Sequence, residues 1–492
     1  MPKKIYLIII ICASLATHFL FFGQPRETVF DEVHFGKFIS GYFTHEYFFD
    51  IHPPLGKLLI SGMGYATSFK PGFSFAEIGQ QFPDRGYLWL RLLPTLAGVL
   101  LPIIIFFLIL ELGLSPLAAF AGGLMIAFEN ALLVQSRFIL LDPFLLLFGF
   151  AALLFYFKYK NSSTTTHLFL SGLFAALTVS VKWTGLTFLA IIGILYLINW
   201  IKSENEPLPA ASSGVSGWAP LQDVSAPPTH SHSVLHPRGK LRSIADVCNK
   251  IKNLASGLVF LVVIPFGIYF LIFTSHFLLL NKSGPGDAFM TQEFRKTLTG
   301  STDSTNADIK SLNIFQKFRE LNVQMYKSNA TLTASHPYSS KWYTWPFMIR
   351  PIYYWNNSAN GQQSRIYLLG NPVIWWASTV AMLYLLIGVF YGLYRGVRPK
   401  LLPVLLTGTY LLNILPFIGI SRAMFLYHYF IGSILAIIAL VYLIDRLENK
   451  KRAFVALLVA SVAMFIFFAP LTYGLPLTEK AYHLRNWLPS WI

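Results

Sequence analysis

The stretch TVFDEVHFGKFISGYFTHEYFFDIHPPLGKLL (28–59) gathers acidic and imidazole side chains in a chain that is 54% hydrophobic and only 12% charged. Its ionisable residues include Asp31, Glu32, His34, His45, Glu46, Asp50 and His52. Aromatic residues recur through it at the spacing of an amphipathic helix half-sunk in a membrane interface. A carboxylate above such an apolar floor loses hydration, which raises its pKa and suits it to general-base catalysis. The pair Asp31-Glu32 is therefore a candidate for proton transfer, against the alternative of an ordinary solvated loop.

Other ionisable side chains lie at the predicted depth or edge of the membrane. They are Arg91, Glu129, Arg137, Asp142, Lys182, Arg422 and His428. Ionisable groups in membrane spans are costly and usually mark a site, and several cations on one face would seat a phosphate. A single cation could instead extend its charged end to the lipid headgroups, which is the interpretation we favour for Arg422. Carboxylates and cations at one membrane surface favour a lipid-linked phosphate substrate.

Apolar runs near 20 residues recur along most of the 492-residue chain, which predicts an all-α polytopic membrane protein and excludes a porin-type barrel. We expect eleven spans, at roughly 4–22, 87–111, 114–133, 138–157, 168–183, 184–201, 254–275, 371–394, 400–419, 424–444 and 452–471. Only Lys182-Trp183-Thr184-Gly185 divides the fifth span from the sixth. The first span lacks a small-residue cleavage site, so we expect a retained signal anchor. The run 58–69 is too short to cross and is expected to be interfacial or re-entrant.

Lysine and arginine residues indicate the orientation of these spans. With a cytosolic N-terminus, four basic loops face the cytosol, as the positive-inside rule requires: 158–167, 202–253, 395–400 and 445–451. The segments 23–86 and 276–370 then face the outer side, together with nearly all of the ionisable residues above. We expect three parts: an N-terminal membrane region that carries catalysis (1–201), a cytosolic linker (202–253) and a C-terminal membrane region (254–492).

The net charge of +16 is explained by these basic loops rather than by binding of nucleic acid. Cys12 lies in a span and Cys248 in a polar loop, so we expect no disulfide framework. Residues 203–237 are rich in Pro, Ser and Ala, which predicts a disordered linker. We interpret the three histidines in this linker as polar filler, and no Cys/His cluster predicts a zinc site. No P-loop or dinucleotide-binding GxGxxG occurs.

The outer segment HPYSSKWYTWPFMIRPIYYW (336–355) is dense in aromatic residues. Trp and Tyr favour the bilayer interface, so one interpretation is a segment that lies on the membrane. The other is a platform for a sugar or a peptide, in which aromatic rings pack on the apolar faces of a sugar and Arg350 holds an anion. The two interpretations are compatible.

The motif DEVHFGKF…YFFDIHPPLGKLL (31–59) strongly resembles the first outer loop of the protein O-mannosyltransferases, which are GT-C glycosyltransferases that use a polyprenyl (dolichyl) phosphate mannose donor. Further blocks match in the same order: LRLLPTLAG (90–98), SRFILLDPFLLLF (136–148), SVKWTGL (180–186), HPYSSKWYTWPFMIRPIYYW (336–355), GNPVIWW (370–376) and SRAMFLYHYF (421–430). The likeness extends from residue 28 to about residue 430. It implies a GT-C fold of about eleven transmembrane helices with the active site on outer loops.

The resemblance also implies roles for individual residues. Asp31 would be the catalytic base or its close partner, and it would remove the proton from a Ser or Thr hydroxyl whose oxygen attacks β-linked mannose with inversion. Glu32 would help to place the acceptor or the sugar. Arg91 would hold the donor phosphate together with Arg137 and Lys182. Further residues would shape the site: His52, Lys57, His336, Trp342, Arg350 and His428. No metal or other cofactor is required.

The resemblance implies that the acceptors are exported proteins, met as they emerge from the secretion translocon. The loop between spans seven and eight, about 95 residues by these span limits, is too short for the MIR domain of eukaryotic members. We therefore expect a short prokaryotic form in the bacterial cell membrane, with its active site on the outer face. Two alternatives stay open: a GT-C enzyme that transfers a lipid-phosphate-linked sugar to a lipid or glycan, and a transporter of a polyprenyl lipid.

Overall fold

The computed structural model describes residues 2–67, 69–202, 244–331, 335–359, 361–420 and 422–491, so the expected linker 203–237 lies outside the described residues. The N-terminal region contains nine helices: α1 (Lys3–Phe19), α2 (Glu32–Thr44), α3 (Leu55–Tyr65), α4 (Tyr87–Glu111), α5 (Pro116–Ala127), α6 (Asn130–Ser136), α7 (Asp142–Ser162), α8 (Thr165–Val181) and α9 (Leu186–Lys202). The described part of the C-terminal region contains nine more: α10 (Ile244–Leu258), α11 (Ile264–Leu279), α12 (Gln292–Arg295), α13 (Ile314–Thr331), α14 (Pro372–Tyr394), α15 (Leu401–Ile414), α16 (Phe430–Ile444), α17 (Lys450–Tyr473) and α18 (Glu479–His483).

Long apolar helices confirm a multi-pass membrane protein. Within the described residues, eight helical stretches are long and apolar enough to span a membrane, and a ninth is obtained if α5 and α6, which meet at a 58° bend, are counted as one span. Helices α1 and α8 also lie where spans are predicted, but each has only 17 residues. Every predicted span therefore coincides with a helix, while the exact number of eleven stays a prediction.

The break at Lys182 separates two helices, as expected. Helix α8 ends at Val181, and Lys182 has an extended backbone with φ −149° and ψ 145°. A 3-10 turn, Trp183–Gly185, then leads into α9. A Cβ atom on Gly185 would lie 2.7 Å from the backbone of Thr178, so a side chain would not fit at this turn. This close turn places the Lys182 side chain between the ends of two helices.

Short elements cover one end of the helix bundle. Helix α2 buries Phe35, Ile39 and Tyr42, and the 11-residue α3 is too short to span, as the run 58–69 predicts. A three-stranded antiparallel sheet has the order β1 (Ile352–Ala359), β2 (Gln362–Leu368) and β3 (Pro476–Leu477). Strand β3 follows α17, so the sheet joins the hairpin β1–β2 to the C-terminal segment.

One large hydrophobic cluster holds the two membrane regions together. It contains Leu90 and Phe106 from the N-terminal region, and Trp375, Tyr429 and Ile434 from the C-terminal region, all nearly inaccessible to solvent. Burial of apolar surface contributes roughly 25 cal/mol per Å² to stability. This shared cluster therefore holds together the elements that carry the site.

Candidate active site

Glu32 and Arg91 form a fully buried ion pair at the start of α2. The Arg91 Nη2 atom lies 2.6 Å from Glu32 Oε2, and its Nε atom lies 2.8 Å from Oε1. The Glu32 carboxylate also accepts hydrogen bonds from the backbone N–H groups of Val29 and Ile139. Arg91 donates its remaining hydrogen bonds to the carbonyl groups of Gly23, Pro25 and Glu27.

In this geometry the Arg91 guanidinium does not have a donor available for the phosphate of a ligand. All five of its N–H donors are already engaged within the protein. The ring centroids of Phe82, Tyr87 and Phe138 lie within 5.4 Å of its guanidinium carbon. The expected contact between Arg91 and a donor phosphate would require these bonds to break. The arginine instead ties the loop before α2 to α4.

Asp31, one residue before Glu32, has the opposite environment. It is half-buried at the N-terminal boundary of α2, and its carboxylate has no hydrogen bond or ion pair with any residue that the structure describes. Burial raises the pKa of Asp31 to about 7, and the charge of Lys182 opposes this shift while those of Asp142 and Asp50 add to it. A carboxyl group that titrates near neutrality is suited to accept a proton in catalysis.

The backbone around Asp31 is held in place by β1. Phe30 has a φ of +44°, a conformation that is costly for a residue with a side chain. Its N–H donates to the Tyr354 carbonyl at 3.1 Å, and its ring stacks on the Tyr354 ring at 4.2 Å. These contacts stabilise the strained turn that directs the carboxylate.

A cavity of about 440 Å³ is lined by Lys182 and Asp142, whose charges act on the Asp31 carboxylate, while Asp31 itself is not one of the lining residues. Its polar lining residues include His52, Asp142, Lys182, Arg422, Tyr427 and His428. Its apolar lining residues include Leu145, Leu146, Pro416, Phe417, Ile420 and Ile431. These apolar residues belong to α7, to α16 and to the segment between α15 and α16.

Lys182 and Asp142 form an ion pair in the cavity wall. Lys182 Nζ lies 2.8 and 2.9 Å from the two carboxylate oxygens. The same carboxylate accepts a 2.6 Å hydrogen bond from Gln135 Nε2, and Gln135 accepts a 2.5 Å hydrogen bond from the Tyr354 hydroxyl. This chain connects the cavity lysine to the tyrosine that supports Phe30, and hence to the turn that carries Asp31.

Arg422 is a cavity cation of a different kind. It is half-buried and lines the cavity, and its guanidinium has no hydrogen bond or ion pair among residues 2–67, 69–202, 244–331, 335–359, 361–420 and 422–491. Arg422 thus lines a cavity, and the interpretation that it extends to the lipid headgroups stays a prediction. The sequence signal that pointed to a role for Arg422 in the site was the matched block SRAMFLYHYF, which contains it.

His52 and Lys57 lie in the HPPLGK segment, as the sequence predicts, but only the histidine lines the cavity. The Lys57 ammonium is buried, pairs with Asp50, and donates to the carbonyl groups of His52 and Pro53. Burial keeps the pKa of His52 well below its usual value, with the charges of Lys182 and Lys57 adding to the effect. The lysine thus clamps the backbone that presents a neutral His52 ring.

The other predicted residues lie in different surroundings. Arg137 is buried, donates to the Phe21 carbonyl at 2.5 Å and stacks over Tyr473, and it does not line the cavity. His428 does line it, with its ring stacked against Trp345. The remaining three lie outside the cavity lining: His336, whose ring contacts Phe30 and Phe425; Trp342; and Arg350, which donates to the Ser490 and Pro337 carbonyls. Among the described residues, no group of three or more His, Cys, Asp or Glu side chains could hold a metal ion.

Comparison with models of protein families identifies the family of this chain. The model described as dolichyl-phosphate-mannose-protein mannosyltransferase matches residues 8–281, more than half of the chain. The chain belongs to the dolichyl-phosphate-mannose-protein mannosyltransferase family. A second model, the C-terminal four TMM region of protein-O-mannosyltransferase, matches residues 314–491.

Eukaryotic mannosyltransferases are among the curated relatives of this family member. Protein O-mannosyl-transferase 2 of Danio rerio is 30% identical over 302 residues, which are 60% of this chain and 35% of the relative. Dolichyl-phosphate-mannose--protein mannosyltransferase 4 of Saccharomyces cerevisiae is 31% identical over 317 residues, which are 62% of this chain and 37% of the relative. The aligned region therefore spans about a third of the length of these relatives.

Solved structures confirm the GT-C fold of this family member. A chain of the Saccharomyces cerevisiae Pmt1-Pmt2 complex, bound to the sugar donor, aligns with a TM-score of 0.84 at 20% identity, over 100% of this chain and 93% of that one. An oligosaccharyltransferase of Archaeoglobus fulgidus aligns with a TM-score of 0.50 at 13% identity, over 98% of this chain and 55% of that one. At these identities the likeness is one of fold.

Proposed function

We propose that this protein transfers mannose from a polyprenyl (dolichyl-type) phosphate mannose to Ser or Thr hydroxyls of exported proteins, with inversion at the anomeric carbon. The observation that carries the proposal is a cavity lined by Arg422, whose guanidinium has no bonded partner among the described residues, and by Lys182 and Asp142, whose charges act on the Asp31 carboxyl. Membership of the mannosyltransferase family supports the identity of the sugar and of its lipid carrier.

Asp31 acts as the base. Its carboxylate takes the proton from the acceptor hydroxyl while the hydroxyl oxygen forms a bond to the anomeric carbon of β-linked mannose. The bond between that carbon and the phosphate oxygen breaks, and polyprenyl phosphate leaves with the bonding electron pair. The product is an α-linked mannose on the protein, and Asp31 returns its proton to solvent.

Arg422 and Lys182 stabilise the phosphate. The Arg422 guanidinium has no bonded partner among the described residues, so its donors can bind two phosphate oxygens, and a bidentate contact of this kind favours the charge that develops as the phosphate leaves. Lys182, which also lines the cavity, contributes its positive charge, while Asp142 holds it in place. The apolar wall accommodates the first part of the polyprenyl chain.

The remaining charged residues position this centre. Glu32 and Arg91 fix the turn that carries Asp31, so we revise the role of Arg91 from phosphate binding to positioning. Lys57 presents His52 to the cavity, and His428 forms part of the cavity wall. Arg137 supports the segment after α1 through its hydrogen bond to the Phe21 carbonyl.

The outer face of the membrane is the proposed location of the reaction. The acceptors are exported proteins that emerge from the secretion translocon, the membrane is the bacterial cell membrane, and the N-terminus is cytosolic. The exposed Cys248, near the start of a membrane helix, supplies a test. A membrane-impermeant maleimide should label it in inside-out vesicles and not in intact cells, with Cys248→Ser as the control. Labelling in intact cells would reverse the orientation.

A transfer assay tests the function. Purified protein in nanodiscs receives radiolabelled polyprenyl-phosphate mannose and a Ser/Thr-rich peptide, with Asp31→Asn alongside. Label on peptide hydroxyls that disappears in the variant supports the proposal. Asp308→Asn, which changes an exposed carboxylate, is the matched control and should retain activity. Label on a lipid or glycan acceptor instead of the peptide, or movement of the lipid without transfer, would overturn the proposal in favour of the corresponding alternative.

A further inference from the structure

The proposed reaction defines where the transferred sugar must lie. In an inverting displacement, the attacking oxygen and the departing phosphate oxygen occupy opposite faces of the anomeric carbon. Asp31 adjoins the attacking oxygen and Arg422 adjoins the phosphate, so the hexose ring lies between these two residues. A side chain that lies close to both Asp31 and Arg422 is in a position to bind the hydroxyl groups of the hexose and so to distinguish one sugar from another. This inference rests on the proposed function.

Tyr427 is the side chain that meets this condition. It lines the cavity in the short 3-10 turn Leu426–Tyr429, immediately before α16. Its hydroxyl interacts electrostatically with the charges of Asp31, Asp142 and Arg422. The Lys182 ammonium lies 5.2 Å from the centroid of its ring. Tyr427 therefore lies among the proposed base, the cavity ion pair and the proposed phosphate ligand.

The Tyr427 hydroxyl also differs from the hydroxyls of neighbouring tyrosines. Tyr354 donates to Gln135, and the Tyr429 hydroxyl is bonded to that of Tyr410 at 3.1 Å. The Tyr427 hydroxyl has no hydrogen-bond partner among the residues that the structure describes. Its two neighbours in the turn, Leu426 and Tyr429, are fully buried, so the backbone that presents it is fixed.

We propose that Tyr427 determines which sugar is transferred, by donating a hydrogen bond from its free hydroxyl to one hydroxyl of the hexose. A phenol is a neutral donor at physiological pH, so it binds a sugar hydroxyl without competing with Arg422 for the phosphate. A site that hydrogen-bonds a substrate hydroxyl rejects analogues that lack it far better than an apolar pocket does.

The test compares Tyr427→Phe with wild type on deoxymannose donors. Each polyprenyl-phosphate donor lacks the hydroxyl at C2, C3, C4 or C6, and kcat/KM for peptide transfer is measured. We expect wild type to lose roughly tenfold with the donor that lacks the bonded hydroxyl. Tyr427→Phe should lose roughly tenfold with the complete donor, and should show no further loss with that deoxy donor.

Two further measurements separate this role from a structural one. The midpoint of thermal unfolding of Tyr427→Phe should match that of wild type, because the buried neighbours and the ring are kept. Tyr343→Phe, which removes an exposed hydroxyl outside the cavity lining, should behave as wild type with every donor. If all four deoxy donors lose the same factor in Tyr427→Phe as in wild type, the inference is wrong. Wild-type protein that transfers no mannose at all would instead refute the proposed function.

Discussion

Two charged regions adjoin at the start of α2, and they differ in how their charges are satisfied. Around Glu32 and Arg91, every side-chain donor and acceptor is bonded and the pair is fully buried. Around Asp31 and Arg422, the carboxylate and the guanidinium have no bonded partner among the described residues, and Arg422 lines the cavity. The carboxylates of the two regions belong to consecutive residues.

The difference separates charges that build the site from charges that can act on a substrate. A buried pair has already exchanged its water for protein partners, and a further ligand would have to displace them. A partly buried, unbonded carboxyl has a raised pKa and takes up a proton readily near neutrality. Satisfied charges therefore position the site, and unsatisfied charges are the candidates for chemistry.

The largest expected effect is that of Asp31→Asn on transfer. Loss of a general base lowers kcat by roughly 10²–10⁴-fold, while binding of the donor is retained. In wild type, kcat should rise with pH through about 7, because the carboxylate form is the base. Initial rates between pH 5 and pH 9 check both statements. Near-wild-type turnover of the variant would remove Asp31 from the mechanism.

The second effect is that of Arg91→Met on stability. The change leaves a buried Glu32 carboxylate without its cation, and breaking such a pair costs about 3–5 kcal/mol. We expect a large drop in the midpoint of thermal unfolding, measured in detergent, and a lower kcat in the protein that remains folded. The donor KM should not change. A stable variant with a raised donor KM would restore Arg91 to the phosphate site.

Arg422→Gln is expected to raise the donor KM without lowering stability, the reverse of the effect expected for Arg91→Met. Loss of charge-assisted hydrogen bonds to phosphate should raise the donor KM by roughly 10–100-fold, since these bonds form only when the donor is bound. The midpoint of thermal unfolding should not change, because Arg422 has no bonded partner among the described residues that the substitution would remove. Arg319→Gln, on the exposed face of α13, is the matched control. Equal donor KM values for both variants and wild type would contradict the proposed phosphate contact.

Tyr354→Phe should have a smaller effect. The variant loses one hydrogen bond, to Gln135, while the stack on Phe30 is kept, so the expected cost is about 1 kcal/mol in stability. A several-fold drop in kcat should accompany it, because the bond supports both Asp142 and the turn at Asp31. Tyr353→Phe, one residue earlier in β1, controls for loss of a phenol. Identical kinetics in both variants would show that the chain from Lys182 to Tyr354 does not affect the site.

Asp31→Asn should also change the pH dependence of stability. The pKa of Asp31 is near 3.8 in the unfolded chain and about 7 in the folded protein. The folded state therefore holds this proton more tightly, and its contribution to stability is lost as the pH rises from about 4 to 7. Asp31→Asn should raise the unfolding midpoint at pH 8 by roughly a few degrees and leave it nearly unchanged at pH 4. A lower midpoint at pH 8 would contradict the raised pKa.

The periodic and local features of the chain could be predicted from its sequence. Apolar runs identified the positions of the spans, because a helix that crosses the membrane needs about 20 apolar residues in succession. The boundary at Lys182 was placed correctly from four residues. The acidic pair Asp31-Glu32 was recognised from the scarcity of charge around it, and the colinear blocks identified the family.

The partners of the charged side chains could not be predicted in this way. The sequence suggested Arg91 as a phosphate ligand and Arg422 as a residue at the lipid headgroups. The structure pairs Arg91 with Glu32, and places Arg422 in a cavity lining without a bonded partner among the described residues. Tyr354 and Gln135 are 219 residues apart, and no spacing rule relates them. Tyr427 lies in the matched block SRAMFLYHYF, but the sequence did not single it out as a site residue.

What the sequence by itself determined is therefore the membrane architecture, the family and the location of the acidic pair. Only the tertiary structure decided which of two consecutive carboxylates has no bonded partner among the described residues, and which of several cations lines the cavity without one. The physical reason is that helix formation and membrane insertion follow from neighbours along the chain, whereas a charge is neutralised or left free by whatever distant residue packs within about 3 Å of it.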